Sequence, residues 1–285
     1  MSKYKNILVA FDGSDSSKNA LKQILGMAKV EGFRATAVTV IHANDSEAEA
    51  SRIRNAKEAS VTPGKAVYTN SVKLVIEENG DSVQTILEEG IVHKAIIDVA
   101  ENRSCDLIVM GRRKLPRIER ALIGSVTAQV LRHSPIDVLV MQRSSSLGWR
   151  KILLATDGSH YSQVAAQRAL EIAQEHGGEL NVVSVIDTTD AFYTEMPGNL
   201  GKMGDRAHLN IEHVRQLAES MDVKINAFIR EGDPHKEIIR IADELKVDVI
   251  CMGTHGRTGL TRIIMGSVAE QALANAPCSV LVVKA

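Results

Sequence analysis

Aromatic side chains are scarce: four Phe, four Tyr and one Trp, 3% of 285 residues. So few rings leave no run of flat platforms for stacking single-stranded nucleic acid. An excess of either charge is missing too. Thirty-four Lys and Arg face 35 Asp and Glu, for a net charge of −1 and a pI of about 6.8. That balance provides no basic footprint for nucleic acid or an anionic membrane, so neither is expected as a partner. Cysteine is nearly absent. Cys105, Cys251 and Cys278 show no CxxC or metal-ligand spacing. Two sit within apolar runs and one just before such a run, which suits small buried hydrophobes in a reducing compartment. No apolar run approaches the ~20 residues needed to span a bilayer. The segment Met1-Ser2-Lys3-Tyr4-Lys5 leads into an apolar strand without a cleavage site, so no signal peptide and a cytoplasmic location are expected.

What the chain does have is a repeat. Ile7-Leu8-Val9-Ala10-Phe11-Asp12-Gly13-Ser14 returns as Ile152-Leu153-Leu154-Ala155-Thr156-Asp157-Gly158-Ser159. Glu89-Gly90 and His93-Lys94 return as Glu231-Gly232 and His235-Lys236. Asp106, Met110 and Gly111 return as Asp248, Met252 and Gly253, and Gly124-Ser125-Val126 as Gly266-Ser267-Val268. Pro135 and Val138-Leu139-Val140 return as Pro277 and Val280-Leu281-Val282. The order never breaks, so the chain reads as two domains, 1–143 and 150–285. They join at Arg143-Ser144-Ser145-Ser146-Leu147-Gly148-Trp149-Arg150, whose three serines and glycine read as a short flexible tether. At 44% apolar content each half has enough material for its own core.

Each half alternates strand and helix. Ile7–Phe11 is continuously apolar, as a strand buried on both faces must be. Ala20, Leu21, Ile24, Leu25 and Ala28 follow at helical spacing. Further strands are expected at Ala35–Ile41, Val83–Leu87, Asp106–Met110 and Asp137–Met141. The second half repeats them at Ile152–Ala155, Leu180–Ile186, Val223–Ile229, Val247–Met252 and Ser279–Val283. Val72-Lys73-Leu74-Val75-Ile76 looks like a strand by propensity, but the repeat assigns it to a helix. Alternating β and α units imply α/β domains, each a five-stranded parallel sheet with helices on both faces. Ligands of such sheets bind beyond the carboxyl ends of the strands, at the switch point in strand order.

The unusual residues collect at those ends. After the fourth strand of the second half comes Gly253-Thr254-His255-Gly256-Arg257-Thr258-Gly259-Leu260-Thr261-Arg262-Ile263-Ile264-Met265-Gly266-Ser267. Glycines permit positive φ and close approach of a ligand to main chain. Successive N–H groups cradle phosphate, and a helix opening at Gly266-Ser267, with Ser267 as its cap, adds an anion-binding N-terminus. His255, Arg257 and Arg262 add positive charge. Glycines of this kind also serve as plain turn and cap residues.

Glycine, two residues, glycine, nine residues, glycine-serine resembles the ATP-binding motif of the universal stress proteins. The strand ending Ala155-Thr156-Asp157-Gly158-Ser159 and the closing run Asn275-Ala276-Pro277-Cys278-Ser279-Val280-Leu281-Val282-Val283 match that family too. The likeness covers nearly the whole chain, twice. It implies two Rossmann-like domains of the adenine nucleotide alpha hydrolase type. It also implies a bound adenine nucleotide (ATP, ADP or AMP), with or without Mg²⁺ on the phosphates. Position by position, the resemblance places Ala155, Thr156 and Asp157 at the adenine and ribose end and Val185 against adenine. Met252, Gly253, His255, Gly256, Arg257, Gly266, Ser267 and Val268 would hold ribose and phosphates. The first half keeps Asp12, Val40, Gly111, Gly124 and Ser125. It departs at Gly111-Arg112-Arg113-Lys114-Leu115-Pro116, where Lys114 replaces the second glycine and Pro116 stiffens the loop. Its site therefore reads as degenerate, or as one that attracts a different acidic ligand.

Other chemistry finds little support. His93 and His235 recur, but Gly232-Asp233-Pro234-His235 reads as a helix start with Asp233 as N-cap. His208 and His213 lie five apart on a helix, poor spacing for shared metal ligation. H-E-x-x-H, G-x-S-x-G and G-x-x-x-x-G-K-[ST] are missing, so no zinc peptidase, serine hydrolase or P-loop ATPase is indicated. A hydride-transfer enzyme would carry G-x-G-x-x-G after its first strand. Three readings stay open. One is a nucleotide-dependent switch in the stress response, the second a slow ATPase or autophosphorylating enzyme. The third is a scaffold for a protein or an apolar ligand. Edge placement of each fifth strand, with the family resemblance, suggests an intramolecular pair of domains and a further homodimer.

Overall fold

A computed structural model describes residues 4–42, 63–77, 83–112, 124–143, 145–189, 200–256 and 265–285. The described residues before 144 form one compact unit and those after it a second. The first runs β1 (Asn6–Ala10), α1 (Asp15–Glu31), β2 (Arg34–His42), α2 (Pro63–Glu77), β3 (Val83–Gly90), α3 (Val92–Asn102), β4 (Leu107–Gly111), α4 (Ser125–His133) and β5 (Asp137–Met141). The second runs β6 (Lys151–Ala155), α5 (His160–His176), β7 (Glu179–Asp187), α6 (Leu200–Ser220), β8 (Ile225–Gly232), α7 (Pro234–Leu245), β9 (Val249–Gly253), α8 (Ser267–Asn275) and β10 (Ser279–Val283).

Within the first unit the strands lie in the order β3-β2-β1-β4-β5, within the second β8-β7-β6-β9-β10. All these pairings are parallel. Each chain segment steps outward for two strands, then returns to the far side of its starting strand. The switch points therefore fall between β1 and β4, and between β6 and β9. In the first unit α1 packs on α2 and α3 on α4; in the second α5 packs on α6 and α7 on α8. Each sheet is covered on both faces, and its central strands are accordingly apolar throughout. Leu8, Val9, Leu107, Ile108 and Val109 are fully buried, as are Leu153, Leu154, Val249, Ile250 and Cys251.

The repeated Asp-Gly-Ser shows how sequence sets local geometry. Asp12 Oδ1 accepts from Ser14 N, and Asp157 Oδ1 from Ser159 N, both at 3.0 Å. The intervening Gly13 and Gly158 take φ of 77° and 78°, a region that only glycine enters freely. Ser14 and Ser159 then cap α1 and α5 by accepting from Ser17 N and Ser162 N. A second repeated device is an aspartate at the opposite end of the sheet. Asp106 accepts main-chain N–H groups from Lys5 and Asn6, and Asp248 from Arg150 and Lys151. Each ties the start of the first strand to the start of the fourth.

Some expectations shift. β1 stops at Ala10, and Phe11 instead donates its N–H to Val38 O from outside the strand. β8 begins at Ile225 because Val223 N turns back to Ala218 O and closes the end of α6. The run expected as a flexible tether belongs to the second unit from Ser145 onward. Ser145 Oγ lies 3.3 Å from Ser279 Oγ, and Trp149 is buried. Val72–Ile76 is helical, as the repeat indicates. Among the described residues no helix is long and apolar enough to cross a membrane.

All three cysteines are free thiols and buried. Burial pushes Cys105 up to about 11 and Cys278 up to about 12. At pH 8 a thiol of pKa about 11 is ionised about one part in a thousand, against about a quarter at the ordinary 8.5. Native protein at pH 8 should resist iodoacetamide at both positions, whereas urea-unfolded protein reacts at all three; rapid native labelling of Cys278 would contradict this burial. Because the folded values are raised, both thiols favour the native state below about pH 8.5. That contribution is withdrawn as pH climbs toward 11.

Candidate functional site

A cavity of about 400 Å³ opens at the carboxyl ends of β6, β7 and β9, at the switch point of the second unit. This volume lies in the range of small-molecule sites. Of the residues proposed from sequence for the second half, Ala155, Thr156, Asp157, Val185, Met252, Gly253, His255, Gly256, Gly266, Ser267 and Val268 all line it. Arg257 lies outside the described residues, as does Arg262. They converge because the sheet is parallel: three strands deliver their ends to one edge, and α8 starts there.

Two details of the loop differ from the sequence reading. None of Gly253, Gly256 and Gly266 has positive φ. Gly253 is required by packing: a Cβ there would stand 2.7 Å from main-chain atoms of Tyr161 on α5. At Gly256 a Cβ would stand 2.9 Å from Asp157 Oδ2, the end of a side chain that lines the cavity, so a substitution there would displace that carboxylate. The cap also differs. Gly266 is the N-cap of α8 and Ser267 its first residue, and among the described residues no side chain bonds to the first turn. Glycine carries no side-chain acceptor, so the described side chains leave that turn's N–H donors open. Gly266 is positioned through its N–H, which donates to Thr254 O at 3.0 Å.

His255 sits between the loop and α5. Its ring lies 4.9 Å from that of Tyr161, and its carbonyl accepts from Ser159 Oγ. Both ring nitrogens are buried without a hydrogen-bond partner among the described residues. An unpaired buried polar atom costs about 1–3 kcal/mol, which a bound acceptor or donor would relieve. Asp187, Met203, Arg206, Pro234 and Ile238 also line the cavity, and no motif pointed to them. Pro234 and Ile238 arrive with α7, Met203 and Arg206 with α6. Their only signal would have been a knowledge of where those helices cross the sheet.

In the first unit Asp12, Val40, Gly111, Gly124 and Ser125 take the corresponding places. Asp12 follows β1, Val40 is half-buried in β2, Gly111 ends β4, and Gly124 caps α4 ahead of Ser125. A Cβ on Gly111 would meet Ser17 N at 2.5 Å, repeating the packing role of Gly253. Arg112 follows, its main-chain O accepting from Ser16 Oγ, and burial holds its guanidinium below the usual value. Lys114 and Pro116 lie outside the described residues.

The recurrent histidines have separate structural partners. His235 Nδ1 contacts Asp233 Oδ1 at 2.5 Å, so Asp233 spends its carboxylate there and makes no side-chain cap bond. His93 packs 5.8 Å from His133; burial, then His133 and Lys94, hold its pKa below the usual value. Among the described residues no three His, Cys, Asp or Glu cluster as a metal site.

Parallel sheets wound in both directions define Rossmann-like α/β units, here present twice, and the second carries a cavity at its switch point. The chain belongs to the universal stress protein family, whose model matches residues 3–142 and again 148–284. It is 40% identical over 143 residues to a universal stress protein of Methanocaldococcus jannaschii, covering 48% of this chain and 82% of that one. Its fold is similar along its length to a universal stress protein from Archaeoglobus fulgidus, with a TM-score of 0.74, 22% identity and 99% of both chains covered. A functionally unknown Pseudomonas aeruginosa protein is similar with a TM-score of 0.67 and 22% identity, covering 99% of this chain and 93% of its own.

Proposed function

We propose that the second unit binds an adenine nucleotide in this cavity, and that occupancy acts as a switch in a stress response. The observation that carries the reading is the open first turn of α8 facing the same cavity as the main chain of Gly256. Helix N-termini offer unpaired donors and the positive end of the dipole to an anion. The phosphates would lie there, with His255 supplying a ring nitrogen that has no partner among the described residues. The base would lie toward Val185. Mg²⁺, when present, would be held chiefly through the phosphates. Family membership supports the stress association, and the first half, with Lys114 in place of glycine, is read as degenerate. A switch requires that the nucleotide bind one conformation better than another. The sequence carries no motif that positions a base for an attacking water, so turnover should be slow at most.

Heat-denatured protein should release adenine nucleotide identifiable by chromatography. Nucleotide-free protein should take up ATP, ADP or AMP in calorimetry at one site per chain. Two equivalent sites would contradict the difference between the halves, and no binding of any of the three would end the nucleotide reading.

A further inference from the structure

Arg206 belongs to no motif of the repeat. It is exposed on α6 and lines the cavity together with Met203, one turn earlier. Asp157 and Asp187 line the same cavity, yet Arg206 forms no ion pair with either. A guanidinium with no ion-pair partner among the described residues, beside two carboxylates, calls for another explanation than charge neutralisation.

Position within the sheet narrows it. The side of α6 carrying Arg206 is fixed over β7, where Asn210 Nδ2 donates to Ser184 Oγ at 3.2 Å. The open turn of α8 and Gly256 belong to the β9 side. β6 lies between, so about two strand spacings of ~4.8 Å separate the ends. Phosphate goes to the α8 end, because Asp187, which ends β7, would repel it at the other. The β7 end instead presents Val185, Met203 and Ile238, apolar surface suited to a flat heterocycle.

We propose that Arg206 lays its guanidinium plane on the base of the bound nucleotide, closing it against the end of β7. This rests on the nucleotide reading above and adds the residue that grips the base. Arginine is planar, weakly hydrated and attracted to aromatic faces. The device is private to the second unit. Gly13 faces Val67 as Gly158 faces Asn210, so the place of Arg206, four residues before Asn210, falls in the first unit to uncharged Pro63.

The test is calorimetry of adenosine, AMP and ATP with the wild-type chain, Arg206→Ala and Arg206→Lys. Arg206→Ala should weaken all three by the same factor, about five- to tenfold. Arg206→Lys, which keeps the charge but not the plane, should recover at most part of the loss. Thermal melts should be unchanged, since the residue is exposed on a helix. A loss that grows from adenosine to ATP would make Arg206 a phosphate clamp and overturn the proposal. So would a wild-type chain that binds while Arg206→Ala binds equally well. A wild-type chain that binds none of the three would bring down the nucleotide reading itself, and this inference with it.

Discussion

Replacing Gly253 with alanine should destabilise the second unit by about 2 kcal/mol or more, before any effect on ligand binding. The added Cβ would meet the carbonyl carbon and oxygen of Tyr161 at 2.7 Å and the Tyr161 Cβ at 2.8 Å. Two of these are main-chain atoms within a helix, which cannot rotate aside as a long side chain can. Either α5 lifts from β9, opening a void above Cys251, whose Sγ lies against Ala165 O of that helix, or the end of β9 bends. Gly111→Ala should do the same in the first unit, where Ser17 N and Ser16 C lie at 2.5 and 2.6 Å. Gly26 supplies the contrast. It lies within α1 with nothing within 4 Å of an added Cβ, so Gly26→Ala should stabilise by about 0.5–1 kcal/mol. Urea midpoints of the three variants check the set. Equal midpoints for Gly253→Ala and the wild type would mean that α5 does not hold this close approach. The same packing makes Gly253→Ala a poor binding-dead control.

Ser267→Asp should cut ATP affinity by ten- to a hundredfold while leaving the fold intact or firmer. Ser267 is exposed at the first position of α8, after an N-cap that offers no side chain. A carboxylate at that position interacts favourably with the helix dipole, by about 0.3–1 kcal/mol. The same carboxylate would occupy the donors proposed for phosphate. Two unit charges about 6 Å apart repel by about 2.8 kcal/mol at an effective dielectric of ~20, roughly a hundredfold in affinity, with solvent screening reducing it. Adenosine, lacking phosphate, should bind the variant as it binds the wild type. Thermal melts beside calorimetry separate the two effects, because stability and ATP affinity move in opposite directions. Unchanged ATP affinity in a folded Ser267→Asp chain would remove phosphate from the helix terminus.

These two residues also show where sequence reasoning reaches and where it stops. Both were recognised as part of one loop by their spacing, and both line the cavity. Their physical roles were partly exchanged. Spacing assigns Gly253 to backbone conformation or ligand approach, and it is needed by the helix that lies across it. Spacing makes Ser267 a cap, and its glycine neighbour holds that place. A one-dimensional pattern records that a side chain is excluded, but not what would have met it.

The repeated Asp-Gly-Ser was legible in a stronger sense. Asx turn, left-handed glycine and serine cap involve atoms two or three residues apart, so their geometry follows from local chemistry wherever a strand feeds a helix. Arg206 is the opposite case. Nothing within a turn of it announces a site, and its spacing is that of an ordinary solvated helix face. It lines the cavity because α6 lies over β7, a result of packing between elements some twenty residues apart.

By itself, then, the order of residues determined the duplication, the alternation of strand and helix, the parallel sheet, and the convergence of one glycine-rich loop on the carboxyl edge. These depend on periodicity and on contacts short in sequence. Tertiary structure alone decided which glycines are held by a neighbouring helix, which helix terminus is left open, and which side chains from α6 and α7 complete the cavity. Such facts depend on how close two separately formed surfaces come, and a few tenths of an ångström between main-chain atoms has no signature in the sequence.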